Sequence, residues 1–155
     1  MDERTTSSAA FFRLFSIALL LCGTACFVLN AIVLGDGSWM PSMPAGNGAS
    51  AFVVGHQIFM MPPLIGCISA ALQFLTGYIG TASAEHRRRS YGAMMICLFA
   101  LIASVINIIT TFSISVGYAR RFGIATFLLG TVMLALYIIP LLRHRETYDD
   151  RKLMM

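Results

Sequence analysis

Charge is scarce in this chain, and it is missing where chemistry would need it most. Only 12% of the 155 residues are Asp, Glu, Lys or Arg, against roughly 25% in an ordinary soluble domain. That leaves too little polar surface to face water on all sides, so lipid must cover much of the exterior. The seven acidic residues are Asp2, Glu3, Asp36, Glu85, Glu146, Asp149 and Asp150. None lies inside a long apolar run. Proton-coupled carriers usually rely on carboxylates within the membrane, so this absence weakens a coupled-transporter reading. The four cysteines, Cys22, Cys26, Cys67 and Cys97, include no Cys-x-x-Cys pair, which argues against a thioredoxin-like dithiol and the usual zinc spacing. Nucleophile elbow, phosphate-cradling loop and zinc-helix motifs are all lacking, as is any Asn-x-Ser/Thr sequon. The expectation is a protein that is not an enzyme and that holds no metal and no cofactor.

What the chain does have is apolar sequence. Hydrophobic residues make up 57% of it, and the mean hydropathy is +0.77. Four apolar segments stand out, at about 9–34, 51–80, 91–116 and 122–142. A membrane-spanning helix needs about 20 such residues. The expected fold is all-α, a four-transmembrane-helix antiparallel bundle forming a single membrane domain over residues 1–155. The first segment exceeds a signal-peptide core and reads as an uncleaved anchor. A Gly-, Pro-, Ser- and Met-rich loop follows, with Trp39 suited to the headgroup region.

The second segment is long for one span and carries Pro62 and Pro63 in its middle. Adjacent prolines remove two backbone donors and push Met61 away from helical geometry. Either one long helix is kinked and tilted at Pro62-Pro63, which is the preferred reading, or a half-helix up to Met61 precedes a separate span. Between the third and fourth segments, residues 117–123 read as a tight turn holding Arg120 and Arg121.

Basic residues set the expected orientation. Arg4, Arg13, Arg87, Arg88, Arg89, Arg143, Arg145, Arg151 and Lys152 fall on one side of the four segments, and Arg120 and Arg121 on the other. The positive-inside rule then puts both termini and the middle loop on the cytoplasmic or equivalent inner side of a multi-pass protein. The formal charge of +4 points to anionic lipid rather than nucleic acid, because the cations sit at span ends without a basic, aromatic-interleaved surface. Arg87, Arg88, Arg89, Arg143 and Arg145 are the candidate lipid-headgroup contacts.

Inside the segments, Ala18, Cys22, Cys26 and Asn30 make a row of small side chains at four-residue spacing, and Gly66 and Ala70 make another. Small residues let helices approach closely in lipid, so these six are candidate packing positions. Ala100 with Ser104 and Thr126 with Gly130 are shorter sets of the same kind. The amides Asn30, Gln73 and Asn107 are expected to hydrogen-bond between helices. His56 is the ionisable residue set deep in an apolar segment, and with Gln57, Pro62 and Pro63 it marks a candidate polar site of the broken-helix type.

The chain resembles the MARVEL-type four-helix membrane proteins in plan. A short first tail leads to an Arg at the head of the first helix (Phe12-Arg13-Leu14-Phe15-Ser16), and the second span opens Ala51-Phe52-Val53-Val54-Gly55. The resemblance covers most of the chain. It implies membrane apposition, vesicle traffic or lipid-domain organisation without catalysis. Three roles follow as expectations: a membrane-organising or trafficking protein, an accessory subunit of a large membrane complex, and a small transporter or pore centred on His56 and the Pro62-Pro63 break. The expected partners are membrane lipids and other transmembrane helices, as a homo-oligomer or a larger complex.

Overall fold

The computed structural model of the chain describes residues 3–36, 49–83 and 87–153, with side chains at 9–36, 57–82 and 92–142. It contains four helices: α1 (Glu3–Gly35), α2 (Ala49–Ser83), α3 (Arg87–Ile114) and α4 (Gly117–Leu153). Helix is what lipid demands, because it satisfies each backbone donor and acceptor within its own segment. The apolar stretches run over Ala9–Gly35, Gln57–Ala82, Gly92–Ile114 and Gly117–Leu142. The shortest has 23 residues. It reaches about 35 Å, enough for a hydrocarbon core of about 30 Å. The chain is a multi-pass integral membrane protein built as a four-helix bundle.

The helices form a closed ring. α1 packs on α2, α2 on α3, α3 on α4 and α4 back on α1, with a lesser diagonal contact between α2 and α4. Consecutive helices are antiparallel, so the start of α1 meets the later part of α4. Phe12 and Tyr137 stack there with ring centroids 5.6 Å apart.

Two boundaries differ from the sequence expectation. Residues 117–123 are helix rather than turn, and the link between α3 and α4 is only Ser115 and Val116. Gly117 makes this possible at φ 58°, a left-handed value that glycine adopts without steric penalty. The Ser115 amide donates to the Thr111 carbonyl at 3.1 Å. Arg120 Nη2 donates to the Phe112 carbonyl at 2.6 Å, and its guanidinium lies 5.4 Å from the Phe112 ring centroid. A cation from α4 thus caps the carbonyl end of α3. Next, α4 continues past Pro140 to Leu153, well beyond the expected end at residue 142. In line with the preferred reading, α2 runs through Pro62 and Pro63 as one helix, and no separate half-helix ends at Met61.

At the end opposite the termini, the Tyr118 hydroxyl donates to the Asp36 carboxylate, joining the start of α4 to the end of α1. Near the termini the core is apolar, built on Phe12, Leu19, Leu134, Tyr137 and Leu141 around Ala93, Cys97 and Ala100.

Candidate functional site: a polar layer on the bundle axis

Each helix turns a row of small or polar residues inward, at alternating steps of four and three residues. On α1 the buried row is Phe12, Ser16, Leu19, Gly23, Cys26, Asn30 and Val33. On α2 it is Pro62, Gly66, Ser69, Gln73, Thr76 and Gly80, flanked by Pro63, Ala70 and Gly77. α3 contributes Ala93, Cys97, Ala100, Ser104, Asn107 and Thr111, and α4 contributes Ala119, Gly123, Thr126, Gly130, Leu134, Tyr137 and Leu141. This spacing keeps one seam of each helix facing its neighbours. The outward faces carry Leu, Ile, Phe and Met at high exposure, as at Leu14, Leu21, Ile32, Ile109 and Leu128. Lipid accepts those side chains as readily as a protein core would, so packing and polar contacts select what goes inside.

Glycine sets the closeness of α1 and α2. A Cβ at Gly23 would lie 2.6 Å from the Phe74 amide nitrogen, and one at Gly77 would lie 2.6 Å from both the Leu20 nitrogen and the Ser16 carbonyl oxygen. The two backbones are therefore in direct contact at both positions. Gly66 and Gly130 do something different, since each leaves the space that an amide fills. The Asn30 side chain lies over Gly66, and the Gln73 side chain lies over Gly130.

These amides belong to a polar layer midway along the axis. Asn30 Nδ2 donates to the Cys26 carbonyl at 2.8 Å. Cys26 Sγ lies 3.8 Å from the Thr126 carbonyl, within a weak hydrogen bond from α1 to α4. Ser69 Oγ and Ser104 Oγ are 2.7 Å apart and tie α2 to α3. Gln73 Nε2 makes a long 3.5 Å contact to Ser69 Oγ, while Gln73 Oε1 is buried without a hydrogen-bond partner. A cavity of about 10 Å³ is lined by Asn30, Gly66, Ser69, Gln73, Ser104, Asn107 and Thr126. A second of about 10 Å³ lies between Asn30, Pro62, Pro63, Thr111, Ser115 and Gly123. Each is close to the space one water occupies.

The sequence-derived positions distribute unevenly over this layer. Cys22, Cys26, Asn30, Gly66 and Ala70 are buried, whereas Ala18 is only partly so. A strict four-residue row drifts around the helix by about 40° per step, and its Ala18 end leaves the seam that Leu19 occupies. Pro62 and Pro63 are buried beside a polar cavity, and Gln57 is exposed. The side chains of His56, Arg87, Arg88, Arg89, Arg143 and Arg145 lie outside the described residues, as does Trp39.

The amides behave differently from the expectation. Asn30, Gln73 and Asn107 are all buried, yet their hydrogen bonds stay within their own helices. Among the described residues, the side-chain hydrogen bond that ties α2 to α3 comes from two serines instead. A double-mutant cycle on Ser69→Ala and Ser104→Ala should give a coupling of about 0.6 kcal/mol, the usual size of such bonds in membranes. The readout is the unfolding midpoint in mixed micelles, and additive single effects would show that the pair is not coupled.

Reasoning from four-residue rows alone passed over Gly23, Gly77, Thr111, Ser115 and Tyr137. The alternating four-three spacing of small and hydroxyl residues was the signal that marks Gly23 and Thr111. Among the described residues no three His, Cys, Asp or Glu side chains gather as metal ligands. The chain matches no protein-family model, no curated protein and no solved structure.

Proposed function

We propose that this protein is a non-catalytic membrane organiser, acting in vesicle traffic or lipid-domain assembly through its lipid-facing surface and its packing with other helices. One observation carries the reading: the bundle axis is filled. Buried polar residues close around cavities of about 10 Å³, so the interior offers a stable scaffold, while large apolar side chains on all four helices face outward. The plan-level resemblance to MARVEL-type proteins supports the same role. The positive-inside distribution of Arg and Lys supports placing both termini in the cytoplasm or its equivalent.

A small transporter or pore is the second reading, favoured by the cavity in which Pro62 and Pro63 meet Asn30, Thr111 and Ser115. Broken or proline-containing helices line polar sites in many carriers. The organiser is preferred because the cavities on this axis among the described residues hold no solute larger than water.

Three measurements test the preference. Reconstituted vesicles should show no protein-dependent flux of ions or small polar solutes, and extraction from source cells in mild detergent should give a monomer or small homo-oligomer. Removing the protein from those cells should redistribute membrane cargo. Flux that disappears in a Gln73→Leu variant would overturn the organiser in favour of the pore. Stoichiometric migration with a large assembly would overturn it in favour of an accessory subunit.

A further inference from the structure

The seam between α3 and α4 is unlike the others. Toward the termini it leaves a groove of about 160 Å³ whose lining is almost wholly apolar. Cys97 and Leu141, both buried, form its floor, and Met94, Leu98, Leu101 and Ile138 form its walls. Glycines draw α1 and α2 together, whereas here α3 contributes one small floor residue, Cys97, and α4 keeps bulky ones. The space has the shape of a stretch of several methylenes. Methionine at its edge adapts to a flexible chain.

The groove ends where the basic residues begin. α3 opens with Arg87, Arg88 and Arg89, and Arg89 precedes Met94 by five residues, or about 8 Å of helix. On the neighbouring helix Arg143 directly follows Leu142, and Arg145 lies two residues on. Two helices therefore bring five guanidinium-bearing positions to the same end of one apolar groove. The first turn of α3 adds backbone N–H groups that have no partner within the helix, and such groups favour an anion. Glu85 precedes Arg87 by two residues and Glu146 directly follows Arg145, with Asp149 and Asp150 later in sequence, so the five arginines outnumber the two carboxylates adjacent to them. At the opposite end of the bundle, Arg120 is engaged with the Phe112 carbonyl.

We infer that this seam is a binding site for an anionic phospholipid of the leaflet nearest the termini, with one acyl chain in the groove and the phosphate between the two basic segments. The charge complementarity selects the occupant. A zwitterionic lipid offers the same acyl chain with no net charge, so the arginines give it no comparable hold. A partner helix would be too wide for a groove of this volume. The inference deepens the membrane-organising reading, because it turns general lipid contact into one site with a headgroup preference.

The test uses the full chain purified in mild detergent and offered equimolar phosphatidylglycerol and phosphatidylcholine with identical acyl chains. Native mass spectrometry reads the lipid retained. The protein should keep one phosphatidylglycerol at least about tenfold over phosphatidylcholine, the ratio that one or two basic contacts near a membrane surface supply. Changing Arg87, Arg88, Arg89, Arg143 and Arg145 together to Gln should bring the ratio to about one. Leu98→Trp fills the groove from a half-exposed position, and should lower phosphatidylglycerol retention about fivefold with every arginine in place. Met95→Trp, at another exposed position lining the groove, is the second filling variant should Leu98→Trp disturb the unfolding midpoint. Equal retention of the two lipids by the unmodified protein overturns the site. Full retention in both groove-filling variants overturns the acyl seat and leaves only a charged surface. Neither failure bears on the flux and particle-size measurements that test the organising role.

Discussion

Adding one methyl group to each of Gly23 and Gly77 is expected to separate α1 from α2 and to lower the stability of the bundle by about 3 kcal/mol or more. Two effects oppose each other in this experiment. Gly→Ala in a helix interior favours the helix by up to about 1 kcal/mol per site. The new Cβ atoms would stand 2.6 Å from backbone atoms of the facing helix, and backbone cannot rotate aside as a side chain can. Steric exclusion therefore wins, and relief requires the whole interface to open. Close packing is also the main attraction between helices in lipid, so an opened interface has little to replace it. Gly92→Ala provides the contrast, since no atom lies within 4 Å of its added Cβ. That change should be neutral or raise stability by up to about 1 kcal/mol. Unfolding midpoints of the double variant and of Gly92→Ala, read by circular dichroism in mixed micelles, decide the matter. A double variant as stable as the unmodified chain would show that the two helices are not held at backbone contact.

The same contrast explains what could be read from the sequence. The existence of four spanning helices was legible because lipid imposes it through length and composition, and Ala9–Gly35 needs no partner to be recognised. Facing direction was harder. Soluble helices announce their buried side with a stripe of Leu and Val, but here Leu14 and Leu21 are outside while Ser16 and Gly23 are inside. The useful signal is small size and hydroxyl chemistry at heptad-like spacing, which Ala18 fails by one position. Turn geometry was obscured for another reason. Gly117, Arg120 and Arg121 look like loop residues by type, yet a single left-handed glycine reverses the chain and frees Arg120 to cap α3. The amides were legible as buried groups but not in their partners. Asn30 satisfies its donor on its own helix because Cys26 lies one turn back at 2.8 Å, a choice that depends on a rotamer and on the room above Gly66.

Truncating Tyr137 to Ala should remove about 3 kcal/mol of stability, while truncating Leu98 to Ala should change it by no more than about 0.5 kcal/mol. Both positions lose a large side chain, so the difference isolates the part played by packing. Tyr137 is fully buried, stacks on Phe12, and brings its hydroxyl beside Ser16 over Gly80. Removing the ring leaves a void against three helices, and every atom lining it loses dispersion contacts. Leu98 is 52% exposed, and lipid fills the space it vacates. No transfer from water accompanies either change, because the unfolded helices remain in the bilayer. Tyr137→Phe keeps the ring and removes a hydroxyl that is buried without a hydrogen-bond partner, so it should be neutral or slightly stabilising. Leu98→Ala and Tyr137→Phe should therefore both keep unfolding midpoints near that of the unmodified chain, with Tyr137→Ala well below them. If Leu98→Ala proved as damaging as Tyr137→Ala, apolar content would matter more than interior fit, and the filled axis could not be what holds the four helices together.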